Sequence, residues 1–172
     1  MKILFLISFF SFILPSLHFA DIKPIDEDGA VTFTIKNLGI NTSGELKGLK
    51  GSIHWDETNV SKSSMNVSVD VSTINTGIDL RDRDLQKDGY FDAAKFPQIN
   101  FKSTSINATS VSGTLTIKGV SKSISFPYTV KKLNGGYLFE GNFSINRKDF
   151  GIGGSFTTLS NHVDVQLRVN AK

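Results

Sequence analysis

Cysteine is absent from the sequence, and histidine is scarce. The absence of cysteine excludes disulfide bonds, thiolate metal sites, a cysteine nucleophile and a lipid-modified N-terminal cysteine. Beyond the first twenty residues the only histidines are His54 and His162, and the strand pattern around each predicts an outward, solvated ring. Neither a G-x-S-x-G elbow nor a complete dinucleotide-binding glycine loop occurs. The sequence therefore predicts a protein that is not an enzyme and holds no metal and no cofactor.

Basic and acidic residues occur in similar numbers. The chain has 19 Lys and Arg residues against 16 Asp and Glu residues, a formal net charge of +3. The basic residues are spread along the chain rather than gathered into a block. Because a surface that binds nucleic acid needs clustered basic residues, nucleic acid is not an expected partner.

The longest hydrophobic run lies at the N-terminus, where Met1 and Lys2 precede the apolar residues 3–14. A transmembrane helix needs about 20 apolar residues. This shorter run is instead typical of a secretory signal peptide. We therefore predict that residues 1–20 are removed, with cleavage near Ala20, and that the remaining domain is periplasmic or secreted without stable membrane insertion. A retained N-terminal anchor is the alternative.

Residues 21–172 form one predicted domain in which apolar and polar residues alternate. A period of two is typical of β-strands, where successive side chains point to opposite faces of the sheet. Seven segments show this period clearly: residues 31–35, 65–71, 99–101, 111–117, 124–130, 137–145 and 163–169.

An eighth, less regular strand is predicted from Gly44 to Trp55, where Gly48 and Gly51 indicate a bulge or bend. No amphipathic helix in the sequence is long enough to cover the apolar rows, so the sheet has to cover itself. Eight strands give a barrel that is just wide enough to be filled by side chains or to hold one small ligand. The predicted fold is therefore all-β, an eight-stranded antiparallel barrel.

One long insertion interrupts the strand pattern between the third and fourth predicted strands, from Thr73 to Pro97. Asp79 is placed to cap a helix. Lys87 lies near the C-terminal end of that predicted helix, and Gly89 lies just past it. We expect one short helix, from Leu80 to Lys87.

Several segments of the chain carry a family resemblance. They are Ile74, Thr76-Gly77, Arg81-Asp82, Leu85, Phe91-Asp92, Lys95, Pro97, Ile99, Phe101 to Ser103, Gly113 to Lys122, Arg147, Asp149 to Gly151, and Val163, Val165 and Leu167. In order and spacing they resemble the YceI-like family of bacterial exported lipid-binding proteins. Two positions depart from the family pattern: Asp84 stands where a His is frequent, and Gly89 where an aromatic or acidic residue is frequent.

The resemblance implies a lipocalin-like barrel whose lumen holds an apolar ligand, namely a polyisoprenoid, an isoprenoid quinone or a fatty acyl chain. The inward-facing rows would then bind the ligand, although periodicity alone favours a filled core. The candidate ligand-binding residues are Phe33, Ile35, Met65, Val67, Val69, Phe101, Leu115, Ile117, Phe126, Tyr128, Phe139, Phe143 and Val165.

Three charged residues are candidates for a polar role. The charges from Arg81 to Asp84 alternate, which is typical of a solvated helix face. A guanidinium suits a carboxylate or phosphate, so Arg81 or Arg147 could contact a ligand head group. In a third interpretation Arg81 pairs with Asp149 and latches the insertion to the loop that follows Arg147.

Two other functions fit the same pattern. An eight-stranded outer-membrane barrel would turn the apolar rows outward, with a structural or adhesive role. The chain lacks a terminal aromatic residue and grouped aromatic girdles, which argues against this alternative. An exported enzyme acting on lipid is the other alternative. A homodimer is compatible with the sequence.

Overall fold

The computed structural model describes residues 19–154 and 158–172. These residues form ten strands and one α-helix, α1 (Asp79–Leu85). The strands are β1 (Phe19–Ile22), β2 (Val31–Asn37), β3 (Ile40–Leu46), β4 (Lys50–Asp56), β5 (Ser64–Asp70), β6 (Gln98–Ile106), β7 (Ser110–Ile117), β8 (Val120–Leu133), β9 (Gly136–Asn146) and β10 (Leu159–Ala171). Short 3-10 turns occupy Val60–Lys62, Val71–Thr73 and Arg147–Phe150.

The strands form a single antiparallel sheet in the order β1-β4-β5-β6-β7-β8-β9-β10-β2-β3. The sheet curls so that the chain after β1 meets the end of β10, where the N–H of Lys23 donates to the carbonyl of Lys172 at 2.8 Å. At the other edge, β3 forms a bridge with the insertion, because Glu45 and Asn75 exchange two backbone hydrogen bonds. The sheet thus becomes an all-β barrel, as the sequence predicts.

Alternation along the strands separates the inside of the barrel from the outside. In β7, Val111, Gly113, Leu115 and Ile117 are buried, whereas the residues that alternate with them are half-buried. In β8, Phe126 and Tyr128 are buried while their neighbours are exposed. Apolar rows therefore face the lumen, because burying them inside the curled sheet removes their surface from water.

Close packing between Phe101 and Gly113 shapes one wall of the barrel. A Cβ atom at Gly113 would lie 2.5 Å from Cζ of Phe101 and 2.6 Å from the carbonyl oxygen of Lys102. The aromatic ring therefore lies across the glycine of the neighbouring strand, as aromatic side chains do when they cover a strand glycine. In this position the ring occupies less of the lumen.

The number of strands differs from the prediction, which was eight. Leu38 and Gly39 both have positive φ, 51° and 79°, so the chain reverses in a two-residue turn and adds β3 to β2. The single irregular strand predicted from Gly44 to Trp55 is two strands, β3 and β4. They separate at Gly48, which has a φ of 73°. The tenth strand, β1, lies at the boundary of the predicted leader.

The helix also differs from the prediction of Leu80 to Lys87. Asp79 is its first residue and not its cap; the cap position is Ile78, which supplies no side-chain hydrogen bond. Asp82 instead links the first turn of the helix to the chain before it, because its carboxylate accepts from the N–H and the hydroxyl of Thr76. Since the barrel has additional strands, the insertion lies between β5 and β6. No helix in the described ranges has the length and apolar character needed to cross a membrane.

Candidate ligand-binding cavity

A cavity of about 540 Å³ lies inside the barrel. Strands β2 to β10 contribute to its wall, together with the insertion and with Pro24, Leu49, Arg147 and Ile152. The volume falls within the range of about 300 to 1,000 Å³ that is usual for small-molecule sites. Most of the lining side chains are aliphatic or aromatic, so the cavity is suited to an apolar molecule.

The thirteen residues that sequence analysis assigned to the lumen all line this cavity. They are Phe33, Ile35, Met65, Val67, Val69, Phe101, Leu115, Ile117, Phe126, Tyr128, Phe139, Phe143 and Val165. Alternation fixes which face each side chain occupies, which explains the agreement. Contact between these residues and a ligand stays a prediction.

The part of the cavity wall that the insertion provides was not predicted from the sequence. Ile74, Ile78, Leu80, Leu85 and Phe91 all line the cavity. Ile78, just before α1, and Leu85, its last residue, are seven residues apart, a spacing that places apolar side chains on one face of a helix. This spacing was the available signal, although the helix is too short to make it prominent.

An aromatic cluster fills the end of the lumen remote from the insertion. Trp55 is 2% exposed, and its ring centroid lies 5.2 Å from that of Phe139 and 6.2 Å from that of Tyr128. The Tyr128 hydroxyl donates to the carbonyl of Asn107 at 2.9 Å, and burial raises the pKa of this phenol. Edge-to-face packing of large rings stabilises this end of the barrel.

Charged side chains enter the cavity wall near the insertion. Arg81 donates from Nε and Nη2 to the hydroxyl and the carbonyl of Thr76, both at 2.7 Å. Asp84 forms an ion pair with Lys87 at 2.7 Å. The expected latch does not form, because Arg81 makes no ion pair with Asp149, and Asp149 is not part of the cavity wall. Thr76 lies only five residues from Arg81 and binds its guanidinium instead.

Arg147 is the most deeply buried charged side chain of the cavity wall, at 2% exposure. Its Nη1 donates to the carbonyls of Ile152, Gly153 and Gly154, and its Nε donates to that of Ser160. These bonds occupy the guanidinium, so in this arrangement Arg147 organises the chain after β9. Within the described residues no three metal-ligating side chains lie together.

Residues 24–171 match the YceI-like domain. The chain belongs to the YceI-like family. Among curated relatives, a UPF0312 protein of Yersinia pestis (strain Pestoides F) is 32% identical, over 87% of this chain and 85% of the relative.

Two solved structures share the fold of this YceI-like chain. BcnA of Burkholderia cenocepacia superposes with a TM-score of 0.77 at 22% identity, over 88% of this chain and 96% of BcnA. A polyisoprenoid binding domain from Saccharophagus degradans, implicated in plant cell wall breakdown, has a TM-score of 0.71 at 16% identity and covers 88% and 97% of the two chains. The barrel is therefore a fold that this chain shares with both proteins.

Proposed function

We propose that this YceI-like chain is an exported, non-enzymatic protein that binds one long apolar molecule in its lumen and stores or carries it. The ligand class is a polyisoprenoid, an isoprenoid quinone or a fatty acyl derivative. The observation that carries the proposal is the cavity of about 540 Å³, whose wall is formed mainly by aliphatic and aromatic side chains.

The length of the strands favours a long ligand. Strands β8, β9 and β10 have 14, 11 and 13 residues, whereas strands in globular proteins most often have about five or six. Each methylene group removed from water contributes about 0.8 kcal/mol. A hydrocarbon chain of several isoprene units therefore gains enough from burial to bind without a charged anchor.

The hydrogen bonds of the two arginines in the cavity wall support binding through apolar contacts. Both Arg81 and Arg147 are engaged by oxygen atoms of the protein itself. Affinity would then come from apolar burial, and binding would change little with salt concentration. The polyisoprenoid binding domain from Saccharophagus degradans, a fold neighbour, is consistent with the proposed ligand class.

The orientation of the rows argues against the outer-membrane alternative. An outer-membrane barrel turns its apolar rows toward lipid. In this chain Phe126 and Tyr128 face inward, while Lys122 and Ser125 of the same strand are exposed. The outer surface of β8 is therefore polar, which suits water better than hydrocarbon.

A matched pair of substitutions on β10 tests the proposal. Val165 lines the cavity, whereas its neighbour Gln166 is exposed on the outer face. Val165→Trp would fill part of the lumen and should reduce the uptake of a fluorescent polyprenol at least about tenfold, while Gln166→Trp should leave uptake unchanged. Circular dichroism would confirm that both variants keep the β fold. Equal uptake by the two variants would contradict binding in the lumen.

A further inference from the structure

Large aliphatic side chains are exposed on two segments at one end of the barrel, and Val120, at the β7–β8 turn of the same end, is less exposed at 37%. Leu38 and Ile40, at the β2–β3 turn, are 73% and 71% exposed, and Ile78 and Leu80, at the start of α1, are 52% and 64% exposed. We call these four residues the apolar rim. Such side chains lose free energy by facing water, so their exposure at one end calls for an explanation.

The apolar rim adjoins the cavity on one side. Ile78 and Leu80 line the cavity as well as being exposed, and Asn37 and Thr42, on either side of the β2–β3 turn, also line it. The antiparallel bridge between Glu45 and Asn75 directs the chain after Asn75 along β3 toward the same turn. Ile78 and Leu80 therefore belong both to the exposed rim and to the cavity wall.

Leu38 occupies a backbone conformation that a leucine rarely adopts. Its φ is 51°, in a two-residue turn that is usually formed by Asn, Asp or Gly. The β7–β8 turn has the same geometry, with φ of 51° at Lys118 and 74° at Gly119, and it carries a lysine. The fold therefore accepts a polar residue in such a turn, and the leucine is a separate feature of the β2–β3 turn.

The charges beside the rim balance one another. Around α1 and the β2–β3 turn, Asp79, Asp82, Asp84 and Asp88 stand against Lys36, Arg81, Arg83 and Lys87. A strongly charged protein partner would find no complementary field there. A long apolar chain is delivered from a bilayer, whose hydrocarbon interior is the matching environment for exposed leucine and isoleucine.

We propose that the apolar rim docks the protein on a lipid bilayer and that the ligand passes between the bilayer and the cavity across Ile78 and Leu80. This inference rests on the proposed function. Docking is shallow and reversible, since four side chains at the end of a barrel enter the interface without spanning the membrane. It is insensitive to salt and to anionic lipid, because the neighbouring charges cancel.

The test uses two substitutions that spare the cavity wall. Leu38→Lys reproduces the Lys118–Gly119 turn, and Ile40→Thr retains a β-branched residue; neither position lines the cavity. Leu133→Lys is the matched control, because Leu133 is 46% exposed at the far end of β8. Flotation with phosphatidylcholine vesicles measures docking. A fluorescent polyprenol, supplied either in vesicles or in cyclodextrin, measures uptake.

We expect the double variant to lose docking and uptake from vesicles at least about tenfold, as the withdrawal of two large aliphatic side chains from lipid predicts. Uptake from cyclodextrin should match that of the unsubstituted protein, and Leu133→Lys should behave like the unsubstituted protein throughout. Failure of the unsubstituted protein to float, or equal flotation of the double variant, would overturn the docking proposal. So would an equal loss in Leu133→Lys.

Two further outcomes separate the competing explanations. If the unsubstituted protein sediments as a dimer, and the double variant is a monomer that floats equally well, the rim is an interface between two copies and the bilayer proposal is wrong. If the unsubstituted protein takes up no polyprenol, quinone or fatty amide from cyclodextrin, the proposed function fails, while the flotation result still decides whether the rim docks on lipid.

Discussion

Arg147 and Ser160 are joined by a hydrogen bond in which Nε–H of Arg147 donates to the Ser160 carbonyl at 2.9 Å. Together with the bonds from Nη1 to Ile152 and Gly153, it connects the chain before residues 155–157 to the start of β10. Among the described residues the guanidinium has no carboxylate partner. A buried cation is thus solvated by backbone carbonyls, an arrangement that depends on the planar fork of arginine.

Arg147→Met should destabilise the protein by about 3 kcal/mol, because the buried carbonyl of Ile152 and the part-buried carbonyls of Gly153 and Ser160 would lose a charged donor. Arg147→Lys keeps the charge but not the fork, and it should recover less than half of the loss. Urea unfolding of the three proteins measures the difference. A lysine variant as stable as the unsubstituted protein would show that the charge, and not the fork geometry, is what the loop requires.

Asp56 should make the stability of the protein depend on pH in the acidic range. The hydroxyl of Thr58 donates to Oδ1 at 2.7 Å, and the N–H groups of Thr58 and Asn59 donate to the same atom. The Thr58 hydroxyl, followed by these N–H groups, lowers the pKa of Asp56 against the opposing effect of burial. Since the folded pKa lies below the unfolded value of about 3.9, the contribution is complete above that pH and is lost as pH falls through the folded pKa.

Asp56→Asn should therefore lower the urea midpoint at pH 7, and the gap to the unsubstituted protein should shrink as the pH is lowered below about 4. Unfolding curves at several pH values measure both effects. A gap that is the same at every pH would mean that the charge of Asp56 contributes nothing to the turn.

The positive φ of Leu38 should lower the free energy of unfolding by a measurable amount. Leu38→Asn places a residue that tolerates positive φ in the β2–β3 turn, and it should raise the free energy of unfolding by about 0.5 to 1 kcal/mol. Lys118→Asn in the matching β7–β8 turn should gain less, because it also removes the bonds that Nζ of Lys118 donates to the carbonyls of Asp88 and Gly151. No gain at Leu38 would contradict the strain.

The leader can be tested on protein from its natural host. We propose that residues 1–20 direct export and are removed, so N-terminal sequencing should find a start near Asp21. Cleavage there would leave only Asp21 and Ile22 of β1, with their pairing to β4 at His54 and Ile53. An intact Met1 in the cell envelope would show that the segment is retained as an anchor.

The inward rows of the barrel could be predicted from the sequence because alternation assigns every residue of a strand to a face. Val67 and Val165 are examples, and both line the cavity. Strand β3 could not be found in the same way. Its large apolar residues, Ile40 and Leu46, stand at its two ends, and the turn before it begins with a leucine.

Two features were harder to predict for a different reason: the part of the cavity wall that the insertion forms, and the bonds from Arg147 to backbone carbonyls. Both depend on which segments meet in space, such as Arg81 with Thr76 and Arg147 with Ile152. An arginine that binds carbonyl groups leaves no partner signature in the sequence, because every residue has a carbonyl. The pairing of Arg81 with Asp149 was therefore a reasonable prediction from charge, and it was wrong.

Mass spectrometry of an organic extract of the natively purified protein tests the central claim most directly. The account predicts a long isoprenoid or fatty acyl molecule in near-stoichiometric amount, and much less of it in Val165→Trp than in Gln166→Trp. An extract free of such lipid, from a folded protein that also fails to take up polyprenols, quinones or fatty amides, would contradict the account and show that the lumen serves no apolar ligand.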